Sequence, residues 1–107
     1  MEDPIKLHIE AIKLAQSILD SNEDYIGRVI DIWSLGQRIH GEAWNTEFHI
    51  FGVISSETDH LPTDKIRSKY SKAMLERSDK ELKKIISFYK KDVTKACNEI
   101  FFKFKDE

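Results

Sequence analysis

The sequence predicts an all-α fold: four main helices in an antiparallel bundle, with short helices between the third and fourth. Three observations lead there. Apolar residues recur at helical spacing through most of the chain, cap residues punctuate those stretches, and no second segment offers a partner to the one run that could pass as a strand. The 107 residues hold only four Gly and two Pro, so long stretches run without a breaker.

Asp3-Pro4 reads as a helix start, with Asp as N-cap and Pro in the first turn, where its missing N–H is not needed. Polar Lys6, Glu10, Lys13, Ser17 and Asp20 then recur at helical spacing. They leave an apolar surface of Ile5, Ile9, Ile12, Leu14, Ile18 and Leu19. Ser21-Asn22-Glu23-Asp24 supplies caps and acids for a second helix whose expected core face is Ile26, Val29, Ile30 and Trp33. His40-Gly41 is its stop, and the short turn between the two helices predicts antiparallel neighbours.

Trp44 to Ile54 is ambiguous between a buried strand and a helix carrying Trp44, Phe48 and Phe51 on one face. With no strand partner, helix is the prediction. Thr63 or Asp64 can cap a short helix through Ile66 and Tyr70, and a further turn carries Ala73, Met74 and Leu75. Ser78-Asp79-Lys80-Glu81 reads as a capping box opening a long last helix to about Phe104. Its stripe is Leu82, Ile85, Ile86, Tyr89, Val93, Ala96, Cys97, Ile100 and Phe104. Phe88 and Phe102 project away from that stripe among Lys84, Lys91 and Lys95, a candidate surface for self-association or a partner.

Length and composition bound the rest. One domain, residues 1–107, is expected, large enough to hold a core without disulfide or metal. One Cys permits no internal disulfide and fits a reducing compartment. No apolar run approaches ~20 residues, and the acidic start Met-Glu-Asp-Pro is unlike a secretory signal, so a cytoplasmic domain away from membranes is expected. Residues 1–60 hold eleven acids and four bases, a balance of −7. Residues 61–107 hold eight acids and thirteen bases, a balance of +5. Such polarity steers partners.

The segment from Ser55 to Arg67 is where the apolar period stops. Glu57, Asp59 and His60 lie within four residues, and divalent metals use such ligands. No second ligand pair accompanies them, so the preferred reading is a structural loop motif of Glu57, Asp59, His60, Pro62 and Arg67. In it Asp59 or Thr58 accepts backbone N–H groups, and Glu57 or Asp59 pairs with Arg67. No metal, cofactor or catalytic residue is assigned. Cys97 sits on the apolar stripe as a core residue. Nucleic-acid binding through the Lys-rich last helix is an alternative, weakened by the interspersed Glu81, Asp92 and Glu99.

The run Phe48-x-x-Phe51-x-x-Ile54-x-Ser56-Glu57-Thr58-Asp59-His60-Leu61-Pro62, followed by Arg67, Tyr89 and Ala96-Cys97, resembles a family of small bacterial helical proteins of unknown function. The resemblance implies two N-terminal helices, an aromatic run and a final helix, and it carries no reaction. Such relatives tend to have Glu-Gly and then Arg on the second helix. Here Asp31-Ile32-Trp33-Ser34 stands there, so a pairing of that Arg with the central carboxylates is either missing or made by Arg28 or Arg38.

The functional expectation is a non-enzymatic protein-binding protein, specifically an immunity protein neutralising a bacterial toxin such as a contact-dependent inhibition nuclease. An acidic surface suits a toxin's basic phosphate-holding groove. Glu23, Asp24, Asp31, Glu42 and Glu47 form the expected recognition set, with Trp44 as apolar anchor. The competing expectation is a small enzyme or metal protein using Glu57, Asp59 and His60.

Overall fold

A computed structural model describes residues 2–105, which form helices joined by short loops, with no strand among them. The α-helices are α1 (Pro4–Asp20), α2 (Tyr25–His40), α3 (His49–Glu57) and α4 (Lys72–Phe104), and a 3-10 helix (Asp64–Lys69) lies between α3 and α4. α1 packs on α2 and α4, and α3 packs on the same two helices from its own side. At 1.5 Å per residue the 33-residue α4 is about 50 Å long, comparable with the 46 Å longest extent of the molecule.

α1 starts as expected: the Asp3 carboxylate accepts the Ile5 N–H at 3.0 Å and Pro4 opens the helix. Its buried stripe, however, is Leu7, Ala11, Ala15 and Ile18, and Ile5, Ile9 and Leu19 are exposed. The alanines win the interface because their small side chains let neighbouring helices approach closely. In α2 the buried residues are Tyr25, Ile26, Val29, Ile32, Leu35 and Gly36. Ile30 is exposed and Trp33 half-buried, so the expected core face was rotated toward the α3 side. Antiparallel pairing of α1 and α2 is fixed at both ends. Arg28 donates to the Ser17 and Ser21 carbonyls (2.7 and 3.2 Å), and Arg38 meets Glu2 at 2.7 Å.

Gly41, at φ 77°, ends α2 with its N–H on the Gln37 carbonyl at 2.8 Å. The expected third helix begins later than Trp44. Residues 41–48 are turns, and α3 spans His49–Glu57. Phe48, Phe51 and Ile54 are fully buried at its head and along it. Two glycines make room for this packing. A Cβ on Gly36 would lie 2.5 Å from Phe48 Cγ, and one on Gly52 would lie 2.7 Å from the Trp33 ring.

The helix expected to begin at the Ser78 box begins earlier, at Lys72. Ser71 is the N-cap, its hydroxyl accepting the Met74 N–H at 3.2 Å. Nothing between 72 and 104 is Gly or Pro, so once nucleated the helix propagates through Ser78–Glu81. The predicted short turn at Ala73–Leu75 is simply its first turn. Val93, Ala96, Cys97, Ile100 and Phe104 are buried, whereas no residue of the N-terminal half of α4 is. From that half, partly buried Leu82, Ile85 and Ile86 pack against the core.

Candidate functional site

The Ser55–Arg67 segment is a clamp onto α4. Thr58 is buried, and its hydroxyl donates to the Ile54 carbonyl at 2.8 Å, closing the end of α3. Leu61 and Pro62 are buried beside it. Three side chains then reach α4 separately. Glu57 accepts the Tyr89 hydroxyl, His60 Nε2 meets Glu81, and Arg67 forms a bidentate pair with Asp79 at 2.7 and 3.0 Å. Arg67 holds the Asp79 carboxyl below its ordinary value, and Glu57 holds the Tyr89 phenol above its own.

This corrects the expected pairing inside the loop. Arg67 reaches across to α4 rather than to Glu57 or Asp59, and the Asp59 side chain is 80 % exposed, 3.8 Å from His60 Nδ1 at its nearest oxygen. Glu57 and His60 are turned to different partners, so the structure does not bring the three expected metal ligands to one point. No group of three or more His, Cys, Asp or Glu positioned for a metal occurs among the described residues. Arg28 and Arg38, the two candidates to meet the central carboxylates, are both engaged with α1 and Glu2. Asp79, Glu81 and Tyr89 were not anticipated as partners, since the first two read as cap residues when the helix start was placed at Ser78.

A second correction concerns Glu47. Its side chain is 4 % exposed, between His40 Nε2 at 2.8 Å and the Lys103 ammonium at 2.7 Å. The ammonium faces Oε1 without the alignment of a formal hydrogen bond, so that contact is an ion pair. Burial pushes the carboxyl upward, but Lys103, His40 and a backbone N–H outweigh it and hold its pKa below the ordinary value. Glu47 thus joins the ends of α2 and α4 and is withdrawn from the surface. Next to it the rings of His8, Phe104 and Phe48 stack in a column, at 4.2 and 6.4 Å between centroids, which closes this end of the core.

The other expected recognition residues are exposed but dispersed. Glu23 and Asp24 lie in the α1–α2 turn, and Asp31 lies on the outer face of α2. Glu42 and Trp44 lie beyond its C-terminus. The 16 residues of α2 put these ends about 24 Å apart. Trp44 is 40 % exposed and fixed in place. Its ring packs on Trp33 at 4.6 Å and on His49 at 5.2 Å, the Trp44 backbone N–H donates to the Glu42 carboxylate at 2.7 Å, and the Asn45 backbone N–H donates to His49 Nδ1 at 2.9 Å.

Cys97 is fully buried, and burial pushes its thiol up to about 12. On the opposite side of α4, Phe88 and Phe102 are 77 % and 73 % exposed. No family model, curated protein or solved structure matches the chain. No described helix is long and apolar enough to cross a membrane.

Proposed function

We propose that the protein is a non-enzymatic protein-binding protein and, in the specific form of that reading, an immunity protein that covers the basic surface of a bacterial toxin domain in the cytoplasm. The observation that carries it is Trp44. A large ring held half in solvent by Trp33, His49 and its own backbone contacts has little conformational freedom left to lose, which suits an interface anchor. Exposed Glu42 adjoins it, and exposed Glu23, Asp24 and Asp31, though dispersed along α2, would help speed encounter with a cationic partner. The polar residues of the central segment support the same reading, because their contacts run to α4 and tie the fold together.

The test is direct titration against the C-terminal domain encoded immediately upstream of this gene. A tight one-to-one complex is expected, weakened about thirtyfold by Trp44→Ala, the scale of an aromatic anchor worth about 2 kcal/mol. Neutralising Glu42 and Asp31 together should slow association and reduce its salt dependence. A housekeeping neighbour with no complex would remove the toxin reading. A complex indifferent to Trp44 would move the interface elsewhere.

A further inference from the structure

A cleft of about 440 Å³ lies between the α1–α2 turn and α4, a size within the range of small-ligand pockets. Its apolar floor is Ile18 of α1, Tyr25 of α2 and Val93 of α4, each 4 % exposed, with half-buried Ile86 beside them. Along the α4 wall, Lys83, Ser87, Lys90 and Thr94 follow one another at intervals of four, three and four residues. They therefore share one stripe of the helix, and no acid stands on the lining between them. Asp20, Ser21 and Asn22 close the side toward α1.

The uncommitted polar groups of this cleft are mainly donors. Neither Lys83 nor Lys90 pairs with a carboxylate among the described residues, and the Tyr25 hydroxyl makes no hydrogen bond there. That oxygen is not sealed inside the protein, and the cleft is open space that Tyr25 lines. Burial pushes the phenol up to about 12, which keeps it a neutral O–H donor. Phenylalanine would fill the same space, so the fold itself has no use for the oxygen. The single acid on the lining, Asp20, already accepts the Gln16 amide at 2.9 Å on the exposed surface of α1. Glu23 and Asp24 of the adjoining turn do not line the cleft, and the Asp24 carboxylate folds back over Gly27. What completes such a site offers acceptors to these donors and an apolar body to the floor.

We propose that this cleft binds a small organic oxyanion, a compact apolar body ending in a carboxylate or a phosphate. Lys83 and Lys90 hold its oxygens, the Tyr25 hydroxyl donates to one of them, and the apolar part rests on Ile18, Ile86 and Val93. The two lysines start about 10 Å apart along the helix axis, and their four-carbon stems let both ammonium groups reach one oxyanion above Ser87. A cationic ligand would face those two ammonium groups with one acid to receive it. The site shares no residue with Trp44 and its neighbours, so it stands whether or not the partner of that anchor is a toxin.

The probes are 3-phenylpropionate and phenyl phosphate, which share an apolar body and differ in the oxyanion. Each is titrated by calorimetry and mapped by amide chemical shifts. At least one should saturate with a dissociation constant of about 1 mM or below, with shifts centred on residues 18–25 and 83–94. The tighter of the two identifies the oxyanion as carboxylate or phosphate. Lys83→Gln together with Lys90→Gln should weaken binding about tenfold or more, and Tyr25→Phe about tenfold, because each removes hydrogen bonds to a charged group. The lysines are exposed and Tyr25→Phe keeps the ring, so unchanged melting temperatures confirm that these variants fold. Phenethylamine, the cationic counterpart, should not bind.

No saturation by either anion up to about 10 mM, or shifts centred elsewhere, overturns the proposal. So does binding that ignores either the lysine pair or Tyr25→Phe. Inorganic phosphate bound as tightly as phenyl phosphate would show that the apolar floor contributes nothing. Saturable binding of phenethylamine would give the cleft to cations through Asp20. Either of these results overturns the proposal as well.

Discussion

Replacing Glu47 by alanine separates a structural role from a recognition role. The carboxylate lies almost wholly inside, 2.8 Å from His40 and 2.7 Å from Lys103. Breaking a buried ion pair costs about 3–5 kcal/mol when the surviving charge stays buried. Here the Lys103 side chain is half exposed and can return to water, so the low end, about 3 kcal/mol, is the expected loss. In a domain of this size about 4 °C of melting temperature accompanies each kcal/mol, so the variant should melt about 12 °C lower at pH 7.

The pH dependence of that gap is equally specific. The folded pKa of Glu47 is depressed below its ordinary 4.5. A depressed acid contributes stability that is fully present above the unfolded value and is lost as pH falls through the folded one. The gap between wild type and variant should therefore narrow steadily as pH falls below 4.5. Thermal melts followed by circular dichroism between pH 3 and pH 7 measure it on a scale that resolves about 1 °C. A variant that melts with wild type at every pH while losing its protein partner would refute the structural assignment and return Glu47 to the recognition surface.

Two further outcomes follow from the packing. Gly36→Ala brings a methyl group to 2.5 Å from Phe48 Cγ, inside a fully buried contact, and should destabilise by about 2 kcal/mol despite alanine's better helix propensity. A chemical denaturation midpoint unchanged from wild type would show that the ring can move aside. In the clamp, Arg67→Ala should raise amide exchange through residues 64–82 and cost up to about 1 kcal/mol, whereas Asp59→Ala should be nearly silent. Equal effects of the two, or a bound metal lost with Asp59, would sink the clamp.

What was legible in the sequence was local. Asp3-Pro4 and His40-Gly41 set helix ends because a cap satisfies backbone groups within a few residues of itself. Cys97, Ile100 and Phe104 could be assigned to the core because no other phase of α4 is apolar for so long. The Ser78 box misled because a good cap sequence is only an option. With Ser71 capping an uninterrupted helix upstream, Asp79 and Glu81 were free to take Arg67 and His60.

The choice between competing apolar faces belonged to the tertiary structure. Ile5 and Ile9 are as hydrophobic as anything in α1, yet Ala11 and Ala15 are buried, since close helix approach rewards small side chains over large ones. The same applies to charge. Glu47 and Glu42 are five residues apart and look alike in sequence. Only the positions of His40 and Lys103, 7 and 56 residues away along the chain, decide that the first is internal and the second is surface. The sequence by itself determined the helical class and two helix ends, at Asp3-Pro4 and His40-Gly41. Which carboxylates hold the fold together, and which stay on the surface, depends on groups distant in the chain that only packing brings within reach.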